Sequence, residues 1–127
     1  MTAKGGLVLT DTCTWLIRIQ TAPYVSPKAA MGIDATLACG AFGQSVTLVL
    51  EGPGVELLSP PKEPVDGGRN LFKLIASLPL YDIEQVYLRT ENPSDVPTGE
   101  FATLKILPVT SGELASLIAN SRHVLSF

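Results

Sequence analysis

Residues that carry metal or redox chemistry are scarce in this sequence, which has two cysteines and one histidine among 127 residues. Cys13 and Cys39 are too far apart for a CxxC redox motif, and two cysteines do not make a disulfide framework. With His123 as its one histidine, the chain cannot assemble a His-rich metal site. We therefore predict no metal and no cofactor, and any cysteine chemistry must rest on a single thiol.

Charged residues are also few, at 17% of the chain, where soluble domains typically have roughly 25%. The nine Lys and Arg residues never form a run, and the formal net charge is -3. Proteins that grip a phosphate backbone need a basic patch, so this chain alone is not expected to bind DNA or tRNA directly. A small domain with so few charges is expected to have part of its surface covered by partners.

Long apolar runs are missing as well. None approaches the roughly 20 residues that a helix needs to cross a bilayer, and residues 1–10 lack the pattern of a signal peptide. The sequence thus predicts no membrane segment and a cytoplasmic location. The length fits one domain, which we place at residues 15–127, after a polar tail or extra edge segment at residues 1–14.

Strand-like and helix-like segments alternate along the whole chain. Strands are predicted at residues 15–19, 46–50, 86–88, 104–109 and 124–127. Helices are predicted at about residues 28–42, 55–58, 70–78 and 110–120. The alternation predicts a single layered α/β domain with a mostly parallel sheet of about five strands.

The first predicted helix is apolar on more than one side, so we expect two of its sides to be buried. One face holds Ala30, Ile33, Leu37 and Ala41. Gly43 follows the helix as a C-cap residue does. At the last helix, the residues at 110 and 113 are Thr and Glu, which fit a capping box.

Two other features are spaced like functional motifs. Gly52-Pro53-Gly54 follows a strand but lacks the third glycine of GxGxxG and the Lys-Ser/Thr of a P-loop, so we interpret it as a plain turn. Carboxylate pairs occur at Asp82/Glu84 and at Glu63/Asp66. Acid–base catalysis requires positioned carboxylates with perturbed pKa values, and no pattern indicates burial here. We interpret both pairs as solvated or facing a partner.

Cys39 is the one thiol with a defined predicted setting. Reactive thiols favour a helix N-terminus, nearby cations and exposure. Cys39 instead lies near the C-terminal end of the first predicted helix, where the helix dipole disfavours a thiolate. We interpret Cys39 as a buried, inert residue, with a sulfur-accepting nucleophile as the alternative.

Two stretches carry recognisable motifs. The first is Thr21-Ala22-Pro23-Tyr24, followed by the Gly-Ile-Asp-Ala-Thr-Leu-Ala segment at residues 32–38. The second is Phe72-Lys73-Leu74, followed by the Leu-Tyr-Asp-Ile-Glu-Gln segment at residues 80–85. These stretches resemble the Thr-Ala-Pro loop, the Gly-Leu-Asp-Ala-Leu-Leu-Ala helix and the Leu-Tyr-Asp-Ile-Glu-Gln segment of the TusC/DsrF branch of the DsrE/DsrF-like family. The similarity runs from about Trp15 to Phe127.

The resemblance implies a three-layer α/β/α fold and a place in a heterohexamer built from two copies of three related subunits. Such a complex receives persulfide sulfur and passes it onward. In the TusBCD version the partners are TusB-like and TusD-like subunits, and the endpoint is 2-thiouridine at the tRNA wobble position. In the DsrEFH version, which is the alternative, a DsrF-like subunit serves dissimilatory sulfur oxidation.

The resemblance also implies where sulfur would be accepted. The related DsrE/TusD subunit carries its sulfur-accepting cysteine in the loop after the third strand, a place that falls at Arg89 in this chain. Arginine cannot hold a persulfide, so the chain is expected to be a non-catalytic structural subunit. The expected subunit interface comprises Tyr24, Leu80, Tyr81, Ile83, Tyr87 and Arg89.

Other interpretations stay open on the residues alone. Residues 81–85 form either a solvated turn or a surface next to a neighbouring subunit. From other classes, the chain is either an enzyme that uses Cys39 as sulfur acceptor or a free-standing homo-oligomer with an unrelated small-molecule role. Expressed alone, a subunit of this kind is expected to associate with itself or to precipitate.

Overall fold

The computed structural model describes residues 13–59, 70–97 and 103–127, which form one five-stranded sheet. Its strands are β1 (Cys13–Ile19), β2 (Val46–Leu50), β3 (Gln85–Arg89), β4 (Lys105–Val109) and β5 (Ser121–Ser126). The strand order is β4-β3-β2-β1-β5, and every neighbouring pair is parallel. The predicted α/β domain with a parallel sheet of five strands is confirmed.

Three α-helices connect the described strands: α1 (Lys28–Ala41), α2 (Leu71–Ala76) and α3 (Ser111–Ala119). Short 3₁₀ turns occupy Gly52–Leu58, Leu78–Tyr81 and Pro93–Asp95. None of the helices in the described part of the chain is long and apolar enough to cross a membrane.

Helices cover both faces of the sheet, so the apolar residues of each strand point alternately to two cores. In β1, Ile17 and Ile19 pack with α1 and α2, while Leu16 packs with α3. The three-layer arrangement is therefore confirmed. The core under α3 consists of Leu16, Val49, Tyr87, Val109, Leu114 and Leu117.

Several element boundaries differ from the sequence prediction. β1 starts at Cys13 and β5 at Ser121, two and three residues earlier than predicted, because these two residues already pair with each other across the strands. α2 stops at Ala76, and the chain continues as a 3₁₀ turn at Pro79, which lacks the N–H that a longer helix needs. Most of the predicted tail, the long loop and the end of the following loop lie outside the described residues.

α1 buries a face centred beside the predicted one: Ile33 is buried, and Ala30 and Leu37 are partly buried against the same core. Its buried residues are Ala29, Gly32, Ile33 and Thr36, whereas Ala41 is exposed and only one side is fully covered. The reason is a close approach at Gly32, where an added Cβ would lie 2.7 Å from the Ile19 side chain. The buried Thr36 hydroxyl is satisfied by donating to the Gly32 carbonyl at 2.8 Å.

The predicted helix ends hold in the structure. Gly43 has φ of 70°, and its N–H donates to the Gly40 carbonyl just beyond α1. At α3, the Glu113 N–H donates to the Thr110 hydroxyl at 3.2 Å, and the Thr110 N–H donates to the Glu113 carboxylate at 2.9 Å. This reciprocal pair is the predicted capping box.

Candidate functional site

A cleft of about 430 Å³ opens at the carboxyl ends of β2 and β3. In parallel α/β sheets, ligands bind beyond the carboxyl ends of the strands, so this is where a site is expected. Arg89, the residue at the place where the resemblance implies a sulfur-accepting cysteine, lines this cleft. Its lining consists of Gly52, Val55, Leu58, Ser59, Leu88, Arg89, Thr90, Asp95 and Pro97.

Arg89 is the last residue of β3, and its side chain is 26% exposed. Its Nη2 donates to the Glu91 carboxylate at 2.9 Å, and the same carboxylate oxygen accepts from the Ser111 N–H at 2.9 Å. The hydrogen bond from Ser111 lowers the pKa of Glu91, and the charge of Arg89 lowers it further. Glu91 therefore stays ionised and ties Arg89 to the start of α3.

The loop after β3 is braced by its own polar side chains. The Thr90 hydroxyl donates to the Asp95 carboxylate at 2.8 Å and accepts from the Asn92 N–H at 3.0 Å. Asn92 in turn accepts from the Ser94 N–H at the start of a 3₁₀ turn. Among the described lining residues there is neither a cysteine nor a histidine, so the cleft offers charged and hydroxyl groups but no thiol.

The turn that follows β2 and borders the cleft depends on Gly54. A Cβ at this position would collide with the Ile19 carbonyl oxygen and would lie 2.9 Å from the carbonyl carbon. Gly52 supplies a φ of 52°, which favours glycine. The Gly52-Pro53-Gly54 segment is thus a tight 3₁₀ turn pressed against β1. The sequence pattern gave no signal for that contact.

A second charged pair joins the carboxyl ends of β1 and β2. Arg18 donates to Glu51 through Nε at 2.6 Å and through Nη2 at 2.9 Å, a bidentate geometry. The hydrogen bond with Glu51 raises the pKa of Arg18, although partial burial works against it. Sequence analysis missed this pair because the two residues are 33 positions apart, with no local pattern that links them.

Tyr24 is engaged within its own chain. Its hydroxyl accepts from the Leu71 N–H at 2.9 Å, so the loop after β1 is fastened to the first residue of α2. Tyr24 has φ of 69°, which is strained for a residue with a side chain, and this contact helps to hold it. About half of the residue, 45%, remains exposed.

The other expected interface residues separate into two groups. Leu80 and Tyr81, in the Leu78–Tyr81 turn, are 84% and 38% exposed. Ile83 and Tyr87 are core residues, at 6% and 5% exposure, so their expected place on an interface must be corrected. Asp82 adopts the left-handed conformation and turns the chain inward before Ile83, while Tyr87 points under α3.

The structure does not bring the expected interface residues together. Arg89 lies at the carboxyl end of β3. Leu80 and Tyr81 precede β3 and therefore lie near the amino ends of the strands. The carboxylates of Asp82 and Glu84 are exposed at that same end, beside Lys105. The pair at Glu63 and Asp66 lies outside the described residues.

Cys39 lies in the last turn of α1, at the amino edge of the sheet and away from the cleft. It is half-buried, not fully buried as expected from the sequence. Cys13 begins β1. In the described part of the chain, no group of three His, Cys, Asp or Glu side chains is placed to hold a metal ion.

The sequence is similar to a known protein family and to several individual proteins. A sequence profile of the DsrE/DsrF-like family matches residues 15–127. A protein named "Protein TusC homolog" from Vibrio vulnificus strain CMCP6 is 29% identical over 116 residues, which cover 90% of this chain and 97% of the relative. A "Protein TusC homolog" from Vibrio parahaemolyticus is 34% identical over 80 residues, or 62% and 66% of the two chains.

The fold is also similar to a solved structure, the crystal structure of the ychN protein from E. coli. The two superpose with a TM-score of 0.72 over 91% of this chain and 99% of the ychN chain. Their sequences are 20% identical, so this likeness concerns the fold alone.

Proposed function

The chain belongs to the DsrE/DsrF-like family, and from this premise we propose that it is a non-catalytic subunit of a sulfur-relay complex. Its motifs had suggested the same family. The proposed complex is cytoplasmic and TusBCD-like, and it serves the formation of 2-thiouridine at the tRNA wobble position. The relatives named TusC homolog support this branch over a DsrF-like role in sulfur oxidation.

The observation that carries the proposal is the residue at the carboxyl end of β3, where the resemblance places the sulfur-accepting cysteine. Arg89 is the last residue of β3, lines the cleft and is ion-paired with Glu91 at 2.9 Å. A sulfur acceptor needs a thiolate, which attacks the outer sulfur of a donor persulfide, displaces the donor as a thiolate and holds the sulfur as a new persulfide. A guanidinium has five N–H donors and no lone pair to offer, so it cannot perform this step. It can hold an anionic or carbonyl group of a neighbouring subunit.

The proposed partners are one TusB-like and one TusD-like subunit, with two copies of each of the three chains. The low charged fraction and the exposed Leu80 and Tyr81 side chains support contact with such partners. In this arrangement the TusD-like subunit would carry the sulfur, and the present chain would position it. No direct contact with tRNA is proposed for this chain, because it has no basic run.

Persulfide formation tests the proposal directly. We expect no sulfur on this chain after incubation with a cysteine desulfurase and labelled cysteine, because its cleft holds Arg89 where a thiol is required. Mass spectrometry of the intact protein measures the transferred sulfur. The TusD-like partner, treated in parallel, is the positive control and should gain one sulfur. Stoichiometric label on Cys39 of this chain would overturn the non-catalytic assignment.

Cys39→Ala separates a packing role from a chemical one. Cys39 is half-buried in the last turn of α1, so the variant should lose about 1 kcal/mol of unfolding free energy or less. Thiolation of tRNA by the reconstituted complex should continue at the wild-type rate. Urea denaturation measures the stability, and 2-thiouridine content measures the activity. Lost thiolation in a variant that folds and assembles normally would favour the enzyme hypothesis.

A further inference from the structure

The two edges of the sheet differ in whether they can accept another strand. At β4, the Lys105 N–H and the Val109 carbonyl bond towards β3, so the intervening alternate residues, Ile106 and Pro108, face outward. Pro108 has no N–H, which blocks pairing on that edge. The sequence of β5 contains no proline, and no strand among the described residues pairs with its outer side.

Hydrogen bonds at the end of β5 show which of its backbone groups are outward. The Phe127 N–H donates to the Arg18 carbonyl at 2.8 Å, and the Phe127 carbonyl accepts from the Gln20 N–H at 2.7 Å. The backbone N–H and carbonyl groups of Phe127 therefore point towards β1, as do those of the alternate residues 125 and 123. The N–H and carbonyl groups of Arg122, Val124 and Ser126 point away from the sheet. All three residues are exposed.

We propose that β5 pairs antiparallel with β5 of a second copy of this chain, about a two-fold axis through Val124. In that register each outward residue exchanges both of its backbone hydrogen bonds with the residue opposite. The two sheets then form one continuous sheet. The pairing is a property of this chain alone and does not depend on the proposed function.

Arg122, the one charged residue of β5, has no like charge opposite it in this register. Centred on Val124, the pairing places Arg122 opposite Ser126 of the second copy. No two like charges then face each other, which would destabilise a strand pair. A register centred on Arg122 would instead oppose two guanidinium groups.

The side chains on both faces of β5 gain contacts in this register. Val124 and Leu125 are 37% and 38% exposed, although one lies on the α3 face and the other on the α1 face. Val124 would meet its own copy, a β-branched pair that suits antiparallel strands. Leu125 would face His123 of the second copy, whose ring stacks on Trp15 with centroids 4.3 Å apart.

Cysteine cross-linking tests the register. In a Cys13→Ser, Cys39→Ala background, Val124→Cys should form a disulfide dimer under mild oxidation. Its two Cα atoms would be about 5.5 Å apart, within the range that a disulfide spans. Arg122→Cys is the matched control: its two copies would lie about 14 Å apart, so no dimer should form. Non-reducing electrophoresis measures the fraction of disulfide-linked dimer for both variants. Equal cross-linking of the two variants would overturn the proposal.

Dimer affinity supplies an independent test by analytical ultracentrifugation. Val124→Pro removes an outward N–H and leaves the bonds to β1 intact, so the variant should fold and be monomeric. Ser126→Glu should tighten the dimer about threefold to tenfold by facing Arg122 of the second copy, and Ser126→Arg should weaken it. Arg18 flanks residue 126 in monomer and dimer alike, so it does not affect the difference.

Each of the other occupants of this edge gives a distinct result. If wild-type protein stays monomeric at every concentration, the self-pairing is wrong. If Val124→Pro weakens binding of a TusB-like or TusD-like subunit instead of self-association, the edge belongs to that partner and the proposal fails. Unchanged self-association in Val124→Pro, or equal affinities of the two Ser126 variants, would place the contact elsewhere.

Discussion

Gly54→Ala is expected to lower the free energy of unfolding by about 3 kcal/mol. The new Cβ would collide with the Ile19 carbonyl oxygen, and the Ile19 carbonyl carbon would lie 2.9 Å away. These are backbone atoms at the end of β1, an interior strand of the sheet, so no side-chain rotation relieves the contact. For a domain of this size the midpoint of thermal unfolding should fall by about 10 °C.

Gly112→Ala is the matched control for this substitution. Gly112 lies in the first turn of α3, and the nearest atom to an added Cβ is the Thr110 hydroxyl oxygen at 4.0 Å. Alanine loses less backbone entropy than glycine in a helix, so this variant should gain about 0.5 kcal/mol. Calorimetry and urea denaturation of both variants measure the contrast. Equal stability of the two variants would mean that the turn at Gly54 moves freely away from β1.

The Gly54 contact illustrates what the sequence could and could not predict. The strands were predictable because their apolar residues form runs that suit a sheet covered on both faces. The capping box was predictable because its two partners are three residues apart. At Gly54 the sequence predicts only a plain turn, since the constraint on this glycine comes from Ile19, a residue far away in the chain.

The same limit explains why the buried face of α1 is shifted and why two expected interface residues are buried. Helical periodicity predicts a face through Ala30 and Ala41; Ala30 does pack against the core, but the contact of Gly32 with Ile19 moves the centre of the buried face away from Ala41. Ile83 and Tyr87 are apolar residues next to a recognisable motif, and their burial follows from the turn at Asp82 and from the layer that α3 adds. Neither feature has a local sequence signal.

At the cleft, the motif segment pointed to Arg89, and the structure places Arg89 in the lining. The sequence could not predict its partners. Glu91 is a near neighbour in sequence, but Ser111, which holds the Glu91 carboxylate, comes from the start of α3. Long-range hydrogen bonds of this kind depend on the strand order, which periodicity does not specify.

Tyr81→Ala is expected to weaken binding to the related subunits about 30-fold, equivalent to about 2 kcal/mol, because exposed aromatic residues are frequent interface anchors. Tyr81 is 38% exposed beside Leu80, which is 84% exposed, in the turn before β3. The end of α1 adjoins this turn, since a Cβ at Gly40 would lie 2.9 Å from the Tyr81 carbonyl oxygen. We propose a TusB-like or TusD-like subunit as the partner that covers this surface.

Leu80→Ala isolates the contribution of the partner from that of the fold. Tyr81 is partly packed on α1, so its truncation affects both the stability of the fold and the binding of a partner. The Leu80 side chain is almost fully exposed, so Leu80→Ala should change the free energy of unfolding by less than about 0.5 kcal/mol. Met31→Ala is the control, because Met31 is 52% exposed in the first turn of α1, at the other end of that helix from Gly40, and is not among the expected interface residues. Calorimetric titration with the purified partners should show weaker binding for both turn variants and wild-type affinity for Met31→Ala. If all three variants bind equally well, the exposed apolar turn lies outside the interface and the subunits meet elsewhere.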